Sequence, residues 1–110
     1  MSTKIRVGVI GCGYWGPNLV RNLKQTAGCE LAVFCDASEK RLRHMQDLYP
    51  GVPGTARHED VVEDPTVTAV IIATPVRFHY PMAKAALEAG KHVFIEKPMA
   101  RTVAECEELI

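Results

Sequence analysis

Apolar residues gather along this chain in four short runs and one weaker one, and the segments between them carry helical periodicity. Ile5-Arg6-Val7-Gly8-Val9-Ile10, Glu30 to Cys35, Ala69-Val70-Ile71-Ile72-Ala73 and His92-Val93-Phe94-Ile95 read as strands. The third run is apolar at every position, the pattern of a parallel strand covered on both faces. A weaker strand is expected near Gly54 to Arg57. Pro17 to Leu23 reads as an amphipathic helix following the first strand. Ser38 is a suitable N-cap for a second helix, whose apolar positions Leu42, Met45, Leu48 and Tyr49 keep helical spacing until Pro50-Gly51-Val52-Pro53-Gly54 breaks it. Glu59 to Asp64 has room for two helical turns at most. Pro81 suits the first turn of a further helix with Met82, Ala85, Ala86 and Ala89 on one face, and Gly90 takes the position past its end. Thr102-Val103-Ala104-Glu105 is a capping box that opens a last helix, with Val103, Cys106, Leu109 and Ile110 as its expected buried side.

Strands alternating with helices imply an α/β fold. The expected form is a doubly wound parallel sheet of five or more strands, with right-handed crossovers and helices on both faces. The 110 residues fit a single domain, 1–110. The last helix meets no Gly, Asn or Pro before Ile110, so the chain reads as cut from a longer protein.

Charge narrows the partners. Thirteen basic and thirteen acidic residues cancel, so no net field favours nucleic acid or an anionic membrane surface. The cluster Lys40-Arg41, Arg43 lies beside Glu39 and reads as a solvated helix face. No apolar run approaches the eighteen or so residues of a membrane span. Cys12, Cys29, Cys35 and Cys106 have neither C-x-x-C spacing nor a paired histidine pattern. They are expected to be reduced thiols of a cytoplasmic protein, with no metal site.

The chemistry begins at Gly11-Cys12-Gly13-Tyr14-Trp15-Gly16, between the first strand and its helix, with Asp36 twenty residues beyond Gly16 at the end of the second strand. In that context the glycines point to a dinucleotide. Gly11 makes the tight turn, Gly13 lets the backbone approach a pyrophosphate, and Gly16 allows the helix to pack closely on the strand. The helix N-terminus adds unpaired N–H groups and a positive dipole end. The backbone N–H groups of Tyr14 and Trp15 can face phosphate, although Trp15 reads more readily as packing between neighbouring turns than as stacking on a ligand. Asp36 is positioned to accept from the ribose hydroxyls and to repel a 2′-phosphate, and neither Ala37 nor Ser38 offers a compensating charge. NAD is therefore expected rather than NADP. Arg41 can lie beside the adenine, or belong to the solvated face of its helix.

Ligands of open parallel sheets bind beyond the carboxyl ends of the strands. Thr74-Pro75 after the fourth strand and Glu96-Lys97-Pro98 after the fifth fall there together with the glycine loop. Lys97 is aimed where a nicotinamide lies; judged alone, it is equally a surface lysine in a turn.

The glycine loop, Asp36, the Ala73-Thr74-Pro75 turn, His79 and the run Gly90-Lys91-His92-Val93-Phe94-Ile95-Glu96-Lys97-Pro98 resemble the Gfo/Idh/MocA family, over essentially all 110 residues. The resemblance implies an NAD(P)-dependent oxidoreductase acting on sugars, inositols or sugar nucleotides. It makes Lys97 the residue that contacts substrate and nicotinamide ribose and assists proton transfer, or one that only orients them. It puts Glu96 at the cofactor ribose and implies a cis bond between Lys97 and Pro98. It matches His79 to a histidine common at that connection and counts it among the cofactor-binding residues, although a histidine there is more often a packing or helix-entry residue than a catalyst. Val76 departs from the Asn that many members carry, so a side-chain contact to the nicotinamide from there is not expected. The family's second α/β domain, which contributes substrate contacts and an acid–base histidine, has no counterpart here, and the full-length protein is expected to be a homo-oligomer with a small sugar-type substrate. Two rivals stand beside this reading. A dinucleotide sensor without turnover has no need of a cation beside the nicotinamide, and a methyltransferase does not need the three-glycine spacing or the lysine turn.

Overall fold

The computed structural model describes residues 5–11, 21, 28–95 and 100–110. The expected helix from Pro17 to Leu23, apart from Arg21, lies outside the described residues, as do Cys12, Gly13, Tyr14, Trp15, Gly16, Glu96, Lys97 and Pro98.

In chain order the elements are β1 (Ile5–Ile10), β2 (Cys29–Cys35), α1 (Glu39–Leu48), β3 (Gly54–Thr55), α2 (His58–Val62), β4 (Ala69–Ile72), a 3-10 turn (Val76–Phe78), α3 (His79–Glu88), β5 (His92–Ile95) and α4 (Val103–Leu109). The strands form one parallel sheet in the order β3-β2-β1-β4-β5. This is the doubly wound arrangement, in which the chain winds outward from β1 and then returns to its other side. The third strand is shorter than expected, and Ala73 leaves the fourth.

Each inner strand feeds two cores. Val9, Leu31 and Phe34 pack with Met45 of α1 and Val52. Ile10, Val33, Cys35, Val70 and Ile72 pack with Val61 and Val62 of α2 and Ala83 and Ala86 of α3. The strict alternation of β2 is interrupted once. Val7 pairs with Leu31 and Gly8 with Val33, so Ala32 is an extra residue, and Ala32 and Val33 both join the α2–α3 core. That bulge brings Phe34 to the α1 side, where it is fully buried; burial of such a side chain contributes about 1.5–3 kcal/mol.

The helix ends follow local chemistry. Ser38 Oγ accepts from the Arg41 N–H at 3.4 Å, a long and therefore weak cap. Gly90, at φ +81°, ends α3; its N–H donates to the Leu87 carbonyl and that of Lys91 to the Ala86 carbonyl, both at 3.0 Å. This pair of bonds closes the helix in the left-handed manner glycine permits. Thr102 Oγ1 accepts from Glu105 N–H at 3.1 Å, while the Glu105 carboxylate reaches back to the Arg101 N–H at 3.2 Å, one residue before the expected partner.

Several face assignments change. Leu48 and Val103 are exposed, at 53% and 74%, and Ile110 is exposed as well. Leu48 lies to one side of the α1 face through which Leu42, Met45 and Tyr49 meet the Phe34 core. The last helix buries no residue fully and touches the core through Leu109. It is tied to α3 by polar contacts, with Glu108 accepting from Tyr80 and pairing with Lys84 at 2.8 Å. On α3 the buried stripe is His79, Ala83 and Ala86; Met82 and Ala85 flank it and Ala89 is exposed. At the opposite end of the sheet Lys91 Nζ donates to the carbonyls of Asp64 at 2.7 Å and Val67 at 2.6 Å, bracing the turn before β4 against the start of β5.

Candidate functional site

The carboxyl ends of β1, β2 and β4 converge where the winding reverses direction, and two backbone bonds lock them together. The Gly11 N–H donates to the Cys35 carbonyl at 2.7 Å, and the Ala73 N–H donates to the Ile10 carbonyl at 2.8 Å. Gly11 has φ +99°, and a Cβ there would lie 2.7 Å from the Ala73 carbonyl carbon and 2.8 Å from the Thr74 nitrogen. Both the conformation and the space admit only glycine.

Asp36 follows β2 directly and is 9% exposed. Its N–H donates to the Thr55 carbonyl at 3.2 Å, and its Oδ1 accepts the Ser38 N–H at 2.8 Å. The carboxylate is thus fixed in an Asx turn at the mouth of the sheet. Beneath it the Cys35 thiol is pushed up to about 12, first by burial and then by the negative charges of Asp36, Glu59 and Asp60. It stays a neutral thiol, neither nucleophile nor ligand.

Across the crevice, the Thr74 carbonyl accepts from His79 Nε2–H at 2.6 Å. The Thr74 hydroxyl is buried and has no hydrogen-bond partner among the described residues. An orphaned hydroxyl is costly unless something else occupies its partner position. Pro75 starts the 3-10 turn, its carbonyl accepting from Phe78 N–H at 3.0 Å.

These ends enclose a cleft of about 620 Å³. Gly11, Asp36, Arg41, Thr74 and Pro75 all line it, so five of the sequence-predicted residues meet at one place. His79 does not line it. Its ring is 2% exposed and turned into the core, where it holds the Thr74 carbonyl from behind. The first turn of α3 turns this side chain toward the sheet rather than the cleft. Gly13, Tyr14, Trp15, Gly16, Glu96 and Lys97 lie outside the described residues.

His58, Arg77 and Phe78 are among the lining residues that were not anticipated. His58 follows β3, and the rule that ligands gather at strand ends could have found it. Arg77 and Phe78 follow Pro75, with the Arg77 guanidinium 4.7 Å over the Phe78 ring. Among the described residues no group of three or more potential metal ligands occurs, and no helix is long and apolar enough to cross a membrane.

A family model described as an oxidoreductase family with an NAD-binding Rossmann fold, Gfo/Idh/MocA, matches residues 5–110. The chain is 39% identical over 110 residues to an uncharacterized oxidoreductase, YdgJ, of Escherichia coli, covering 99% of this chain and 31% of that protein. It is 34% identical to a glycosyl hydrolase family 109 protein of Shewanella amazonensis, covering 97% and 26%. Its backbone is similar, at TM-score 0.89 and 26% identity, to scyllo-inositol dehydrogenase from Lactobacillus casei with bound NAD(H) and scyllo-inositol, covering 97% and 32%. It is similar, at TM-score 0.90 and 33% identity, to biliverdin reductase from Synechocystis in complex with biliverdin and NADP+, covering 96% and 33%. The chain therefore spans about a third or less of the length of the proteins it matches.

Proposed function

The chain belongs to the Gfo/Idh/MocA oxidoreductase family, and from that premise we propose that its cleft holds NAD(H) for hydride transfer at a hydroxyl-bearing carbon of a sugar, inositol or sugar nucleotide. The observation that carries this reading is the meeting of Gly11, Asp36 and Thr74 around one crevice at the switch point of the sheet. A dinucleotide needs a close backbone approach, an acceptor for its ribose and donors along the wall. The bare Cα of Gly11, the oriented Asp36 carboxylate and the orphaned Thr74 hydroxyl fit those needs. When bound, the nicotinamide supplies the carbon that accepts or releases the hydride.

The chain's own residues bind and orient. Asp36 accepts from the ribose hydroxyls and disfavours a 2′-phosphate, which gives NAD(H) precedence over NADP(H). Arg41 flanks the adenine, and Pro75 with Thr74 forms the opposite wall. By the resemblance, Gly13, Tyr14, Trp15 and Gly16 take the pyrophosphate, Glu96 the ribose, and Lys97 holds the substrate hydroxyl and moves its proton. His79 acts as a positioning residue through Thr74.

The inositol named with one structural neighbour and the glycosyl compound implied by one relative's name support a polyol or carbohydrate substrate. The cysteines Cys29 and Cys106, in no disulfide among the described residues, support a reducing, cytoplasmic setting. Exposed Phe94 and Val103 support burial against further protein, in a second domain or a homo-oligomer. Residues 1–110 are read as the cofactor domain, and the substrate is positioned by the remainder of the protein. Orientation contributes about 7–11 kcal/mol to such reactions, so the 110-residue chain alone should bind cofactor without turnover. Calorimetry with NADH and NADPH, beside a dehydrogenase assay on inositols and sugars, tests both points. Tighter NADPH binding contradicts the role of Asp36, and robust turnover by the chain alone contradicts the division of labour.

A further inference from the structure

The last helix, α4, is held by polar groups more than by a core, since it buries no residue fully and meets the sheet core through Leu109. Its tie to α3 is Glu108, whose two carboxylate oxygens are taken up separately. One accepts from the Tyr80 hydroxyl, and the other pairs with Lys84 Nζ at 2.8 Å. Tyr80 is also the neighbour in sequence of His79, whose buried ring holds the Thr74 carbonyl at 2.6 Å behind the cleft wall. We propose that Tyr80, Lys84 and Glu108 are positioning residues for the cleft: they latch α4 onto α3, and the latch sets the rotation of the first turn of α3 and with it the His79–Thr74 contact. The inference rests on the reading of the cleft as a dinucleotide site and adds a control on its wall from outside.

The rest of α3 leaves that rotation loosely fixed. Beyond His79 its buried stripe is Ala83 and Ala86, two methyl side chains that form a shallow ridge against the sheet. Its start has no side-chain cap, because Phe78 stands at the N-cap position. Tyr80 lies about 100° round the helix from His79, so a pull on its hydroxyl turns the imidazole beside it. Lys84 stands one turn further on, its ammonium 5.7 Å from the centre of the Tyr80 ring, so the two donors present one face to Glu108. Lys84 first and Tyr80 second hold the Glu108 carboxyl below its usual value, and it stays ionised at neutral pH. On α4 itself Arg101 pairs with Glu105 at 3.6 Å. A single exposed ion pair contributes little. Here two bonds converge on one carboxylate and act through a helix on a 2.6 Å contact, where a small displacement is felt.

The test compares the unmodified chain with Y80F, K84M, E108Q and the exchanged pair K84E/E108K. The first reading, taken without cofactor, follows the Cys106 amide on α4 together with the Thr74 amide and the His79 ring resonances. Across the variants the three should move in proportion, with E108Q displaced furthest because it weakens both bonds. K84E/E108K, which restores the ion pair with its charges exchanged, should return all three at least part of the way. The second reading is NADH affinity, which should fall about threefold or more in E108Q and follow the same order. Shifts confined to α4, with His79 and Thr74 unmoved, overturn the proposal and leave the latch as a fastening for that helix. Unchanged NADH affinity in all the variants overturns it as well. If one variant fails to fold, the remaining ones decide by the same readings. An unmodified chain that does not bind NADH overturns the dinucleotide reading instead, and the cofactor-free shifts still decide whether the latch positions the wall.

Discussion

His79 donates from Nε2 to the Thr74 carbonyl at 2.6 Å, and so a histidine buried in the sheet core fixes the turn that forms one wall of the cleft. Removing the ring leaves a cavity and an unsatisfied carbonyl together. His79→Ala should cost about 2–4 kcal/mol of stability by urea unfolding. Cofactor affinity should fall in the folded fraction, since Thr74 loses its anchor. Unchanged affinity in the folded variant would show that the turn holds itself.

Gly11 and Gly28 both have positive φ, +99° and +86°, but only Gly11 is crowded. Gly28→Ala should cost about 1–2 kcal/mol, the conformational penalty alone. Gly11→Ala adds overlap with Ala73 and Thr74 and should cost roughly 1–3 kcal/mol more. Equal losses for the two variants would contradict the interlock between β1 and β4.

The Cys35 thiol is raised above its ordinary value of 9.0 to about 12. The folded state then holds a proton that the unfolded state releases, so the stabilising contribution is complete below pH 9 and falls as pH rises toward 12. The decline is at most about 1.4 kcal/mol per pH unit. Cys35→Val should flatten this part of the pH–stability curve. In the native protein at pH 8, alkylation followed by mass spectrometry should label the half-exposed Cys29 and Cys106 well before Cys35. Early labelling of Cys35 would show that the base of the cleft opens.

Positions where the backbone demands one residue type were legible in the sequence. Gly11 is required by its turn, Asp36 ends a strand, Ser38 and Thr102 cap helices, and Gly90 closes one. Each rests on local chemistry, and each lies where expected. Helix faces were less legible, because periodicity tells which positions are apolar but not what covers them. Leu48 and Val103 keep the spacing yet remain exposed among the described residues. Ala83 was overlooked because the stripe it shares begins with a histidine. The Ala32 bulge leaves no mark on the sequence, since Leu31 to Phe34 is apolar throughout. His58 and Arg77 follow strand ends and reach the cleft there; the weakness of the β3 pattern hid the first, and the second lies just past Thr74-Pro75.

One cleft, bounded by Gly11, Asp36 and Thr74, is the proposed binding site for NAD(H). The most direct measurement is a titration of the isotopically labelled chain with NADH, followed through its backbone amide resonances. Saturable shifts are predicted at Gly11, Asp36, Ser38 and Thr74, with Glu88 and Lys91 at the far end of the sheet unmoved. No saturable shift up to about 1 mM cofactor, or shifts centred away from the ends of β1, β2 and β4, would contradict it.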